Sequence, residues 1–530
     1  MTANFELFDP TKSFGPTCDA PPQFLTAADL LTAMDRLGIA RSLVYYSEAR
    51  SYLTGAGNRW LVEKLDATPG AQNRLIPAAV ISPAARFNSD TLPQLKEQME
   101  QGRIRALRYF SRGSNLRQME PLMEELMPFS PVLFLDAREG PSFDEILSFA
   151  THFPELPITL MQTMWPGELQ LADLMERCPN LHIDISWMHS DQTLEWMVKY
   201  FGAERILFGG GPDSHNGAAI ASLVHAEISD NEKILIASKN LQRLLGLEQL
   251  APTGITPLSP AREDKPLWNA YLRGEKLEVD IVDAHAHPTA MGGWLRETVD
   301  PDALAARMAR VMDRIGINVM CMAGVRACFG DALVDHVENE TRLGVMGGRF
   351  LGYVTFNPYL ADQIEPCLDD YFSRDYYIGF KLLNDYWGLP ITDAVFAPMW
   401  RYADRHSLPI LMHTWVGPND DPAMLSEIAP AHPNAILILG HSGGSNHKSA
   451  IALAKANPNV YLEWCGCFCS GQRWEEVIAE VGTQQVLFGS DAAAHNLDWE
   501  LGRMLSLDLP DETLIPILGS NMRNILARRR

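Results

Sequence analysis

The sequence predicts an α/β protein built of two tandem (β/α)8 barrels, and three observations predict it. The chain has 530 residues, too long for one ordinary domain. Half of that length matches the roughly 250 residues of an eightfold strand–helix barrel. Two phrases, LFGGGPDSHN at 207–216 and LFGSDAAAHN at 487–496, superpose at a shift of 487 − 207 = 280, about half the chain. Throughout both halves, apolar runs of four to six residues alternate with longer amphipathic stretches. Such runs read as buried parallel strands, and the stretches between them as crossover helices.

The repeat is traceable element by element, which is the signature of a repeated architecture. MDRLGI at 34–39 answers MDRIGI at 312–317, and RLIPAAVISP at 74–83 answers RFLGYVTFNP at 349–358. IRALRY at 104–109 answers IGFKLL at 378–383, and SPVLFLD at 130–136 answers LPILMHT at 408–414. FPELPITLMQT at 153–163 answers HPNAILILGHS at 432–442, and CPNLHIDIS at 178–186 answers NPNVYLEWC at 457–465. Asn240 answers Asn521. Stretches such as Pro301–Gly316 and Asp393–His406 read as helices, several opened by Asp, Ser or Thr caps. Residues 251–277 carry Pro and Gly without clear periodicity and read as a linker between barrels at 1–250 and 278–530.

Composition narrows the function classes. Hydrophobic content of 46% and charged content of 21% are those of a soluble globular protein. A net charge of −22 offers no basic surface for nucleic acid or an anionic membrane. No apolar stretch reaches the roughly 18 residues of a membrane span, and MTANFELFDPTKS lacks the regions of a signal peptide. Eight cysteines, scattered except for 465, 467 and 469, suit a reducing cytoplasm. The expected partner is therefore a small-molecule substrate.

In such a barrel chemistry collects where strands end, and the second copy places polar residues there. VDIVDAHAHP ends its first strand with His285 and His287, whose i, i+2 spacing points both imidazoles the same way. Lys381 ends strand 4, His413 follows strand 5, His441 follows strand 6 and Asp491 follows strand 8. Imidazole and carboxylate groups at these points suit Zn²⁺ or another first-row divalent ion. Arg326, Asn384, Asp385, Trp387, Trp415 and Trp294 sit on strand-to-helix loops as candidate substrate contacts, as does His495. His495 and Asn496 recur as His215 and Asn216, which favours a structural role equally. The alternating Cys465, Cys467 and Cys469 would put three thiols on one strand face, more in keeping with a tight strand end than with a soft-metal site.

The ordered set resembles the amidohydrolase superfamily, and within it the amidohydrolase-related branch of metal-dependent hydrolases and decarboxylases. The resemblance carries all its motifs over 278–530 and covers 4–249 by pattern only. It implies TIM-like barrels, with His285, His287, His413 and Asp491 holding a divalent ion, and Asp491, His441 and Lys381 catalytic. It implies one ion, or two where Lys381 is carboxylated, as the corresponding lysine is in urease and dihydroorotase. Asp491 would take the proton of an attacking water, and His441 would bind a second metal or polarise the carbonyl and protonate the leaving group. The implied reaction is hydrolysis of a lactone, ester or amide. Non-oxidative decarboxylation of a small carboxylated substrate is the alternative, and a binding protein with two ligand-binding barrels is a third reading. Homodimers are common in this branch, so the tandem implies an intramolecular pseudo-dimer, with homodimerisation left open.

Carried back to the first copy, the register sets His285 and His287 on Thr11 and Ser13, and Lys381 on Arg108. It sets His413 on Leu135, His441 on Gln162 and Asp491 on Gly211. Thr, Ser and Gln are poor neutral ligands, and Leu and Gly are none. The first copy is thus expected to fold without metal chemistry and to pack on the active barrel.

Overall fold

The computed structural model describes residues 5–18, 22–111, 113–163, 167–211, 216–257, 262–287, 295, 300–415, 417–466 and 471–528. The chain divides into two compact units between Glu263 and Asp264. Each contains one eight-stranded, all-parallel sheet whose strands are hydrogen-bonded in chain order. These are two tandem TIM-like barrels.

In the first unit the strands are β1 (Leu7–Phe14), β2 (Ile39–Tyr46), β3 (Leu75–Ile81), β4 (Ala106–Tyr109), β5 (Val132–Asp136), β6 (Ile158–Met161), β7 (Leu181–Asp184) and β8 (Ile206–Leu207). In the second they are β9 (Ile281–Ala286), β10 (Ile317–Met322), β11 (Phe350–Thr355), β12 (Tyr377–Leu382), β13 (Pro409–His413), β14 (Ile436–Gly440), β15 (Val460–Glu463) and β16 (Val486–Leu487). Most strand residues are buried on both faces, which is why they read as apolar runs rather than as alternation. Phe8, Leu43, Ala78, Val132, Phe134 and Leu207 belong to one buried hydrophobic cluster of the first barrel. Bonds across the seam bring the last strand back to the first. In the second unit Ala284 N donates to Phe488 O at 2.9 Å and Asp491 N to His285 O at 2.7 Å.

Helix ends follow local chemistry. Thr26, Asn115, Ser142 and Ser229 close capping boxes on the helices that follow them. Asp300 caps Pro301–Ile315, which ends at Gly316 with φ of 100°. The stretch read as one helix over 393–406 is a short 3-10 turn, Ala394–Phe396, running into Ala397–His406.

The units repeat the same devices. β1 pairs Leu7, Phe8 and Asp9 with Ile39, Arg41 and Ser42, and β9 pairs Ile281, Val282 and Asp283 with Ile317, Val319 and Met320, each slipping at the same step. Left-handed residues follow β6 and β14 at Gln162 and His441 (φ 58° and 63°), and follow β8 and β16 at Gly211 and Asp491 (φ 62° and 55°). Asn180 donates to the carbonyls of Ala150, Phe153 and Leu156, and Asn459 to those of Ala429, His432 and Ala435. Asn240 ties Ala203 O and Ile206 O, and Asn521 ties Thr483 O and Val486 O. Both amides are buried, so Ala at either position strands two carbonyls. We expect Asn240→Ala and Asn521→Ala each to lose about 2 kcal/mol, read by denaturant titration, with only the unit carrying the change affected.

The segment 251–277 is not a free linker. Its start belongs to the first unit, where Thr253 Oγ1 donates to Glu6 Oε1 at 2.8 Å. Its end belongs to the second, where Pro266–Leu272 is helical, Lys265 pairs with Asp511 at 2.7 Å and Tyr271 OH donates to Asp498 at 2.6 Å. The helix is seven residues, too short to print a periodicity on the sequence. Among the described residues no helix is long and apolar enough to cross a membrane.

Candidate active site

The site is assembled at the C-terminal ends of the second unit's strands. His285 lies within β9, His287 one residue beyond it, Lys381 near the end of β12, and His413 at the end of β13. His441 follows β14 and Asp491 follows β16. All six come together. Ring centroids run in a chain, with His287 to His285 at 5.2 Å, His285 to His441 at 5.1 Å and His441 to His413 at 4.9 Å. Asp491 Oδ1 lies 3.7 Å from His285 Nε2 and 3.6 Å from His287 Nε2.

Partners on the far side of each ring decide which nitrogen faces inward. His285 Nδ1 lies 3.2 Å from Glu463 Oε2, His287 Nδ1 2.8 Å from Ala323 O, His413 Nδ1 3.0 Å from Asp420 Oδ2, and His441 Nδ1 3.1 Å from Cys465 O. Each is an acceptor, so each Nδ1 carries the proton and each Nε2 presents a lone pair. His285 Nε2 and His287 Nε2 then face one another at 3.2 Å. Two lone pairs at that distance repel unless a cation lies between them. His285, His287 and Asp491 form a group able to hold a metal ion, and acceptors behind the imidazoles are the usual support of metal-binding histidines. The donor set fits a divalent ion.

Burial sets the protonation states. It pulls the imidazoles of His285 and His441 well below their ordinary value and that of His287 to about 3, with Lys381 or a neighbouring imidazole adding to the effect. They are neutral at physiological pH, as ligands must be. Burial raises Asp491 and lowers Lys381. Lys381 Nζ lies 2.7 Å from His285 Nε2, aimed at the same spot as the ligands. For His495 burial pulls down, but Glu500 at 2.9 Å holds the imidazole above its ordinary value. Glu500 is in turn gripped by Arg503 at 2.7 Å.

The loop candidates separate. Trp415 stands edge-on to His441 at 5.2 Å. Arg326 is half exposed, in the short helix Val325–Phe329, and paired with Glu338 at 2.6 Å. Asn384 donates to Leu389 O within its own turn, Asp385 accepts from Asn419 N, and Trp387 is packed inward with its indole N–H on Cys328 O. Trp294, His215, Cys467 and Cys469 lie outside the described residues, as does the side chain of Asn216. Asn496 caps the helix Leu497–Leu505, a structural role.

Sequence reading missed Glu463, Asp283, Asp420 and Tyr386. Asp283 accepts from His285 N at 3.0 Å and from Ser490 Oγ at 2.5 Å, fastening the first strand to the last turn. Burial pushes it up to about 7. Tyr386 is exposed and stands edge-on to His413 at 5.2 Å. The one available signal for Glu463 was an acid inside the apolar phrase VYLEWC.

In the first unit the strand pairing corrects one equivalence. Arg108 pairs with Phe134 as Lys381 pairs with Leu411, so Asp136, not Leu135, stands where His413 does. A carboxylate is therefore present there, contrary to the expectation of no good ligand. It is engaged, however, accepting from Gln162 Nε2 at 2.7 Å and Arg138 N at 2.9 Å. The remaining groups also bond one another. Thr11 Oγ1 donates to Asp9 Oδ1 at 2.6 Å and accepts from Gly211 N at 2.9 Å. Lys12 Nζ donates to Gly211 O at 2.6 Å and lies 3.3 Å from Asp9 Oδ2. Arg108 is buried over the Tyr45 ring.

Residues 282–527 match the family model described as amidohydrolase. No curated protein matches the chain. Among solved structures it is similar to 2,6-dihydroxybenzoate decarboxylase from Rhizobium, at 15% identity over 47% of this chain and 99% of that one, TM-score 0.36. It is similar to 5-carboxyvanillate decarboxylase from Sphingomonas paucimobilis, at 14% identity over 48% and 99%, TM-score 0.36. It is also similar to a dihydroxybenzoic acid decarboxylase from Polaromonas with bound manganese, at 17% identity over 47% and 97%, TM-score 0.37. With its imidazoles, lysine and aspartate in order on the strand ends, the second barrel belongs to the amidohydrolase superfamily.

Proposed function

We propose that the second barrel is a metal-dependent hydrolase of a C–O or C–N acyl bond in a small molecule. The observation that carries the reading is Asp491, a buried carboxylate 3.6 and 3.7 Å from the inward nitrogens of His287 and His285, with its proton affinity raised by burial. His285, His287 and His413 through Nε2, with Asp491, would hold one divalent ion, zinc by the chemistry of the donors. Such an ion makes hydroxide available near neutral pH and polarises an acyl oxygen. Asp491 accepts the proton of the attacking water. His441, neutral with its Nδ1 proton held by Cys465 O, presents an Nε2 lone pair that would take up the proton Asp491 removes from the water and hand it to the leaving group. Trp415 and the exposed Tyr386 flank the imidazoles and limit the substrate's approach.

A decarboxylase is the second reading, and Lys381 is the observation that favours it. Among the described residues no carboxylate pairs with its buried amine, which leaves it able to hold a substrate carboxylate. Carboxylation of the same amine would instead supply a bridge between two ions.

The two barrels read as an internal duplication, and the first as a domain that has lost its chemistry. Its role is that of a scaffold, an intramolecular stand-in for a second subunit in a cytoplasmic enzyme. Elemental analysis of the purified chain is expected to give about one equivalent of metal. Two equivalents would assign a carboxylated Lys381, and none, with none reloaded, would overturn the metal reading. A panel of lactones, esters and amides is expected to turn over. CO2 release from hydroxybenzoates without hydrolysis would select the decarboxylase.

A further inference from the structure

The first barrel acts as an internal control on the second, because it keeps the fold and lacks the imidazoles. Asp184 ends β7 and Glu463 ends β15. Both are fully buried carboxylates. Asp184 Oδ1 accepts from Gln162 N at 2.8 Å, and Glu463 Oε2 accepts from His441 N at 3.0 Å. Both acceptors therefore hold the left-handed residue that follows the sixth strand (φ 58° and 63°), a conformation non-glycine residues adopt only when surroundings enforce it. A strand-end glycine makes room in each case. A Cβ on Gly209 would meet Asp184 Oδ2 at 2.0 Å, and one on Gly489 would meet Glu463 Oε1 at 2.1 Å.

That shared contact needs no metal, since it is present in the barrel whose first strand offers Thr11 in place of His285. What the second barrel adds is reach. Glu463 is one methylene longer, and its Oε2 also lies 3.2 Å from His285 Nδ1. Its Oε1 accepts from Cys465 N at 2.7 Å, which fixes the carboxylate's rotation, and the Cys465 thiol lies 3.2 Å from Oε2 and 3.3 Å from His285 Nδ1. In the first barrel the residue facing that direction turns elsewhere, with Thr11 Oγ1 bonded to Asp9 and Gly211 N.

We infer that Glu463 is a positioning residue with two separable duties, of which the backbone bond to His441 serves the fold and the bond to His285 Nδ1 aims the Nε2 lone pair at the metal position. The inference rests on the metal-centre reading above. A hydrogen-bonded carboxylate behind a ligating imidazole fixes both its tautomer and its orientation, and removing such a partner weakens metal binding by about 10- to 100-fold. Aspartate, as Asp184 demonstrates, is long enough for the first duty and is one methylene short of the second.

The test is the full-length E463D chain against wild type. Zinc affinity is measured by competition with a chromophoric chelator, metal-free melting by circular dichroism, and ligand geometry from the visible spectrum of the cobalt-substituted protein. E463D is expected to melt within a few degrees of wild type when metal-free, to bind zinc about 10- to 100-fold more weakly, and to show altered cobalt bands. Wild-type zinc affinity and spectrum in E463D would overturn the inference. So would a lowered metal-free melting temperature with unchanged affinity, the mark of a purely structural role. Should E463D fail to fold, E463Q, which keeps the length but offers one acceptor oxygen in place of two, decides by the same criteria. If wild type itself bound no zinc or cobalt, the metal-centre reading would fall before the variant was made, which keeps the two failures distinct.

Discussion

Asp491→Asn is expected to lower turnover by about 10³-fold, a loss of about 4 kcal/mol in transition-state stabilisation. The amide is isosteric, so the backbone bonds that shape the turn survive, with Asp491 N on His285 O and His495 N on Asp491 O. What the substitution removes is the negative charge and the capacity to accept a proton. Metal affinity should fall too, because three imidazoles would be left without the carboxylate member of the set. Metal content and turnover must therefore be measured on the same sample. The variant saturated with zinc should remain slow. Wild-type rates at full metal occupancy would remove Asp491 from the proton-transfer role, and restored rates on raising zinc would reduce it to a ligand. The metal-free melting temperature supplies the fold control. It should not fall, since burial already raises the energy of the charged Asp491 carboxylate.

The four proposed ligands were legible because each stands at a fixed place, one polar residue at the end of an apolar run, and because six such places recur in order. The barrel was legible for a related reason: a strand buried on both faces leaves a run of four to six apolar residues that few other elements produce. The same property hid the register of β5. In SPVLFLD every position is compatible with burial, so sliding the phrase by one residue carries no penalty in hydrophobic pattern. The sequence match settled on Leu135, and only pairing with β4 and β6 puts Asp136 opposite Met161 and level with His413. Glu463 and Asp420 were missed for another reason. They act behind the imidazoles through contacts that the fold alone brings together, and a buried acid leaves no periodic mark. Arg326, read as a strand-to-helix loop residue, instead lies in the short helix Val325–Phe329, and its guanidinium bonds Glu338, 12 residues along.

Chelation and a single substitution should act on opposite halves of the chain. A divalent ion at about a thousandfold above its dissociation constant would stabilise the barrel that holds it by about 4 kcal/mol, so stripping it should lower one unfolding transition and leave the other in place. In the first barrel the comparable charges are already closed internally, with buried Lys12 set 3.3 Å from buried Asp9 where the second barrel has Ser490 bonded to Asp283. Lys12→Met removes the cation and leaves Asp9 desolvated, with Thr11 as its remaining support. Breaking a buried pair from one side costs about 3–5 kcal/mol. The variant is expected to lower the transition that chelation does not touch, with metal content per folded chain unchanged. Scanning calorimetry with and without chelator, on wild type and Lys12→Met, gives four curves that resolve the assignment. A Lys12→Met chain that lost its metal would mean that the first barrel takes part in the centre. One in which chelation moved both transitions would mean that the first barrel also binds an ion, through Asp9 and Asp136, and is not chemically silent.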